Sequence, residues 1–265
     1  NEMLVVGFPI IDPVAVEIGL LAIRWYSLAY VTGILFGWRY ALRLTDLKHN
    51  SLKRNHVDDF IVWATLGIIL GGRLGYVLFY RPEFFIDKPL EIFAMWKGGM
   101  SFHGGLLGVI VSGWFFSLKR QISIYYLSDI VCAVAPIGLF LGRIANFING
   151  ELYGRQTDVY WAMVFPRGGT LPRHPSQLYE AGLEGILLFS CLSVVVYRFQ
   201  GLERPGLVSG IFMTGYGVFR YLVEFYREPD SHLGTIYGIA TMGQMLSVPL
   251  FLIGIFLIYL AWHKT

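Results

Sequence analysis

The sequence predicts an all-α integral membrane protein of about seven transmembrane helices. Two observations lead there. Of 265 residues, 55% are hydrophobic and only 15% are charged, an excess of apolar side chains over an ordinary water-soluble domain. The apolar residues also fall into long runs, and a helix needs roughly 20 of them to cross a bilayer. The runs lie near 14–38, 57–79, 99–117, 127–147, 178–198, 206–227 and 236–262. Several carry glycines four residues apart, such as Gly67, Gly71 and Gly75, and Gly104 and Gly108, a spacing that lets helix backbones approach closely.

Lys and Arg sit unevenly between the runs. Segments 39–56, 118–126, 198–205 and 263–265 hold ten, while the alternate segments 1–13, 80–98, 148–177 and 228–235 hold six over nearly twice the length. The positive-inside rule then places the first set in the cytoplasm, with the N-terminus outside and the C-terminus inside. The expected organisation is one transmembrane domain over 1–265 with two longer outer loops, 80–98 and 148–177. Glu2 and Asp12 precede the first run, which lacks a basic flank, so no cleavable signal peptide is expected. Net charge is +3, too small a bias to suggest nucleic acid. Cys132 and Cys191 both fall in apolar runs and read as packing residues.

Arginines within the spans need compensation, because each carries about 2.5–3.5 kcal/mol of insertion penalty at mid-bilayer. Arg24, Arg73, Arg143, Arg220 and Arg227 are so placed, Arg24 deep and alone. On the deduced topology Arg73, His103, Arg143, Asn146, Arg220 and Glu224 reach a similar level in the outer half, with Glu180 and Glu184 opening the fifth span at that side. Tyr26 lies midway down the first. Tyr216, Arg220, Glu224 and Arg227 follow at helical spacing on one face, as do Arg143, Asn146 and Gly150. Arg220 and Glu224 read either as a mutually neutralising buried pair or as part of an anion site. The in-span arginines outnumber evident acidic partners, which favours an anion, and a guanidinium suits forked contact with phosphate. His103, between Phe102 and Gly104-Gly105, reads either as structural or as a base near neutral pH. In Arg173-His174-Pro175-Ser176-Gln177, Pro175 suits a helix start.

The stretch Gly142-Arg143-Ile144-Ala145-Asn146-Phe147-Ile148-Asn149-Gly150-Glu151-Leu152-Tyr153-Gly154 resembles the signature of bacterial prolipoprotein diacylglyceryl transferases. The likeness extends through Trp25-Tyr26, Gly71 to Tyr76, Ser101 to Leu106, Arg173 to Glu180 and Gly215 to Arg220. It implies a seven-helix inner-membrane enzyme that moves the diacylglyceryl group of phosphatidylglycerol to the lipobox cysteine thiol of a prolipoprotein signal peptide. The products are a thioether and glycerol phosphate, and this is the first step of lipoprotein maturation. Functional positions implied by the resemblance fall on Tyr26, His103, Arg143, Asn146, Glu151, Gly154, Arg220 and Glu224.

That chemistry suits the residues. Arg143 and Arg220 would stabilise charge on the departing phosphate ester, and His103, Glu224 or Glu151 would take the thiol proton. Tyr26 and Asn146 would orient the head group, with Arg73, Glu151, Gly154, Tyr216 and Arg227 also about the substrate. No cofactor is expected, and no metal, since no ligand set has the required spacing. The alternative is a non-catalytic anionic-lipid binding or transport protein; two similar halves, the mark of many transporters, are not evident.

Overall fold

The structure, a computed structural model, describes residues 6–9, 11–19, 21–47, 52–95, 98–229, 235–236 and 240–263. The chain forms two compact units, Asn1–Ala41 with Asp129–Thr265, and Leu42–Ser128.

The first predicted span opens differently from expectation. Residues β1 (Val14–Ile18) and β2 (Leu21–Arg24) pair antiparallel, and only then does helix α1 (Trp25–Thr45) begin. β-branched Val14, Val16 and Ile23 favour extended backbone, Asp12 accepts a hydrogen bond from the Val14 amide at 2.8 Å, and Gly19 reverses the chain at φ +61°. Arg24 therefore ends a hairpin and is exposed, instead of lying deep in a helix.

The unit Leu42–Ser128 is built on α2 (Arg54–Phe79) and α4 (Phe102–Arg120), with α3 (Pro82–Asp87) and a 3-10 turn, Pro89–Phe93, between them. Gly67, Gly71 and Gly75 of α2 meet Gly104 and Gly108 of α4 backbone to backbone. A Cβ on Gly75 would lie 2.8 Å from the Gly104 Cα, and one on Gly108 would overlap the Gly67 carbonyl. The close approach expected from the spacing is present. Ser101 caps α4, its hydroxyl accepting from the Gly104 amide at 3.2 Å.

Arg73, buried near the end of α2, donates from Nε to the Ile92 carbonyl at 2.8 Å. Its Nη atoms reach the carbonyls of Glu91 and Gly98 at 2.6 Å and Gly99 at 3.1 Å. The described part of the loop thus gathers its carbonyls on one buried guanidinium.

In the other unit α5 (Ile124–Ile148) continues from Asp129, and a loop leads to α6 (Ser176–Glu180). A π-helical segment, Ala181–Leu187, joins α6 to α7 (Leu188–Arg198), so that 176–198 is one helical rod. Then follow α8 (Leu207–Val223), β3 (Thr235–Ile236) paired with β4 (Ala240–Thr241), and α9 (Met242–His263). Asp129, fully buried, accepts from the amides of Gly206 and Ser209 at 2.7 Å and from the Ser209 hydroxyl at 2.6 Å. It closes the N-terminus of α8 with a negative charge where the helix dipole and free amides favour one. At α8 and α9, Gly210 and Gly254 approach so closely that a Cβ on Gly210 would sit 2.8 Å from the Gly254 carbonyl.

Among the described residues four helical stretches are long and apolar enough to cross a membrane: Arg54–Phe79, Ile124–Ile148, Ser176–Arg198 and Met242–His263. α8 is apolar but has 17 residues. α1 and α4 stand at two further predicted spans, but Trp, Tyr and Arg in the one, and His, Gly and terminal Lys119-Arg120 in the other, dilute their apolar content. Large side chains face outward, including Leu246, Leu252, Ile253 and Phe256 of α9. A helix apolar on its outer face suits lipid and not water. Cys132 is buried as expected for packing, while Cys191 faces outward from α7.

Candidate functional site

The site is assembled in the larger unit from the ends of α5 and α8, the rod 176–198 and the loop between α5 and α6. Arg143 and Asn146 stand three residues apart in the last turns of α5. Gly150 turns the chain at φ +62°, and Glu151 folds back so that its carboxylate accepts from Asn146 Nδ2 at 2.9 Å and Asn149 Nδ2 at 3.2 Å. The Tyr26 ring packs on Tyr30 with centroids 5.1 Å apart. Gln177 and Ser176, both fully buried at the start of α6, donate to the carbonyls of Glu151 at 2.6 Å and Leu152 at 3.0 Å. The helix start expected at Pro175 is realised, with Pro175 just before α6.

Gly154 then threads between two strands of loop. Its amide donates to the His174 carbonyl at 2.8 Å, it bridges to Arg227, and a Cβ there would come within 2.5 Å of the Tyr226 carbonyl and 2.6 Å of the His174 Cβ. No residue but glycine fits. Arg173 fastens the same region, donating to the carbonyls of Gly168 and Gly154 and meeting Glu228 at 3.1 Å. His174 packs on Tyr179 and Tyr226, and partial burial draws its imidazole below the ordinary histidine value, so the ring is held neutral.

Inside this frame lies a cluster of ions. Arg143 Nε contacts Glu180 Oε2 at 2.5 Å, and its Nη2 lies 3.4 Å from Glu184 Oε2. Arg220 spans Glu180 Oε1 and Glu224 Oε2, each at 2.8 Å, and Arg227 meets Glu180 Oε1 at 3.2 Å. Glu180 thus receives three guanidiniums from two helices and a turn. All three carboxylates are buried, while Arg143 and Arg220 keep 15% of their side chains exposed. Tyr216, one turn before Arg220, stands among these charges. Gly243 of α9 makes room for Glu224: a Cβ there would lie 2.6 Å from the carboxylate.

The expectation that arginines outnumber their acidic partners is corrected here. Three guanidiniums meet three carboxylates, because the rod 176–198 brings Glu180 to both Arg143 and Arg220 and Glu184 to Arg143. The π-helical turn lies where those two acidic residues enter, and such turns frequently mark functional positions. α8 ends at Val223, so Arg220 and Glu224 form the i,i+4 pair expected, whereas Arg227 reaches the cluster from the turn beyond the helix. Gly150 likewise lies past the end of α5.

Arg143, Asn146, Glu151, Gly154, Tyr26, Tyr216, Arg220, Glu224 and Arg227 are therefore gathered in one unit. Arg73 and His103 belong to the other: Arg73 is engaged with loop carbonyls, and His103 is exposed in the first turn of α4, edge-on to Phe102. Sequence reasoning missed Glu180 as the centre of the cluster, and also Gln177 and Gly243. An acidic pair at i,i+4 inside an apolar run was the available signal for the first; the other two act through contacts that spacing does not reveal.

A family model described as prolipoprotein diacylglyceryl transferase matches residues 13–260. The chain belongs to that family. A prolipoprotein diacylglyceryl transferase family relative in Paramagnetospirillum magneticum, named phosphatidylglycerol–prolipoprotein diacylglyceryl transferase, is 56% identical over 97% of this chain and 95% of its own length. Relatives of the same name in Rhodopseudomonas palustris and Rhodospirillum rubrum are 56% and 57% identical, over 98% and 94% of this chain and 93% and 91% of their lengths. In this member of the family, Arg143 and Arg220 share one carboxylate, Glu180, at 2.5 and 2.8 Å.

Proposed function

We propose that this protein transfers the diacylglyceryl group of phosphatidylglycerol to the lipobox cysteine thiol of prolipoproteins, the first step of lipoprotein maturation. The observation that carries the reading is family membership over nearly the whole chain, with relatives of that printed name sharing more than half its residues. The ion cluster supplies the chemistry. The thiolate sulfur attacks the glyceryl carbon that bears the phosphate, the C–S bond forms as the C–O bond breaks, and the electron pair leaves with glycerol phosphate. Arg143 and Arg220 stabilise the charge gathering on the phosphate oxygens. Asn146, Tyr26 and Glu151 orient the head group, with Tyr216 and Arg227 supporting the arginines. A thiol titrates near 8.5 when free, so positive charge beside it also favours the attacking thiolate. Glu224, Glu151 and His103 are the candidate acceptors of the thiol proton.

The whole chain acts as one domain of seven spans in the bacterial cytoplasmic membrane, with the N-terminus and the site toward the outer face. The distribution of Lys and Arg supports that orientation. Purified protein given phosphatidylglycerol and a lipobox peptide should release glycerol phosphate in step with loss of thiol. A peptide with serine in place of cysteine should release none, and release at the same rate would remove the thiol as acceptor. Lipid binding with no turnover would leave the non-catalytic reading.

A further inference from the structure

Among the described residues, Arg143, Arg220 and Arg227 meet Glu180, Glu184 and Glu224, three charges of each sign. A phosphodiester brings one more negative charge into a water-poor place, where an uncompensated charge is expensive. One carboxylate must then give up its charge. The three are unequally held. Glu180 receives three guanidiniums, at 2.5, 2.8 and 3.2 Å, and Glu224 has Arg220 at 2.8 Å. Glu184 has one ion contact, at 3.4 Å through Oε2, and its Oε1 is buried with no hydrogen-bond partner among the described residues. The charged groups facing it are Arg143 from α5, Arg220 from α8 and Glu180 from its own rod; the Tyr216 phenol of α8 also stands beside it.

We infer that Glu184 takes up a proton from the medium when the lipid phosphate enters between Arg143 and Arg220, so that the site returns to neutrality with substrate bound. The inference rests on the proposed function, since it assumes phosphatidylglycerol as the ligand. Glu184 acts through Arg143: once neutral it loosens its hold on that guanidinium, whose donors turn to the phosphate. It is a positioning residue and does not itself touch the reacting carbon.

Linkage fixes the sign. Where the ligand-free site holds Glu184 as an anion, each unit rise in pH removes tenfold of the protonated form, so apparent lipid affinity falls by up to about tenfold per pH unit. The test uses the full chain in nanodiscs, with KM and kcat measured against phosphatidylglycerol from acid to alkaline pH using one lipobox peptide. Wild type should show KM for the lipid rising with pH, and Glu184→Gln, which mimics the protonated acid, should show a KM that does not. A flat wild-type KM, or a Glu184→Gln variant that keeps the wild-type slope, overturns the inference. Should that variant not fold, direct lipid binding by the wild type at constant pH in buffers of different ionisation enthalpy decides the matter: an uptake of about one proton supports it and none refutes it. Absence of any thiol-dependent turnover would instead defeat the proposed function, leaving the two failures distinguishable.

Discussion

Glu180 is the residue that three arginines share. Breaking a buried pair by removing one partner costs about 3–5 kcal/mol. Glu180→Gln should accordingly lower the thermal unfolding midpoint measured in detergent and also reduce turnover, whereas a variant at exposed Tyr160 should do neither. Arg143→Lys tests shape separately from charge. An ammonium cannot reach Glu180 and Glu184 in a fork as the guanidinium does, so kcat/KM should fall by tenfold or more, equivalent to about 1.4 kcal/mol of transition-state stabilisation. Much of the site at this scale was visible in the spacing of Tyr216, Arg220 and Glu224 and of Arg143 and Asn146. The role of Glu180 was not. Spacing tells which residues share a face of one helix, but nothing in it says which partner a neighbouring helix will offer.

Helices that touch backbone to backbone make sharper predictions than those with side chains between them. On α4, Gly108→Ala forces a methyl group against the Gly67 carbonyl, and overpacking of this kind costs about 1–3 kcal/mol. On α5, Gly142 has nothing within 4 Å of an added Cβ, so Gly142→Ala should leave the unfolding midpoint near wild type. Comparing the two in one thermal series separates close packing from mere helical glycine. Asp129→Ala removes the cap of α8 and should destabilise the protein by about 0.5–2 kcal/mol or more, since it also leaves buried amides without acceptors. The helices were legible because apolar runs of sufficient length admit few other structures in lipid. The opening hairpin was not, because hydropathy averaged over a window is blind to the reversal at Gly19 and to the alternation that makes Val14 to Arg24 a pair of strands.

For the molecule as a whole, the distribution of Lys and Arg predicts the arrangement across the membrane. Reporter fusions should place segments 39–56 and 118–126 in the cytoplasm and segments 80–98 and 148–177 outside; a cytoplasmic signal from 148–177 would invert the proposed orientation. Segment 148–177 is fastened to the turn after α8 by the Gly154–Arg227 bridge and by Arg155, whose Nε donates to the Arg227 carbonyl at 3.0 Å. Arg227 therefore serves two masters, its backbone tied to a surface loop and its side chain to the buried carboxylate of Glu180. If a head group binds at the cluster, a dye attached near the exposed Tyr160 should change its signal when phosphatidylglycerol is added, with no need to follow the reaction, and an unchanged signal would show that the two ends of Arg227 act separately.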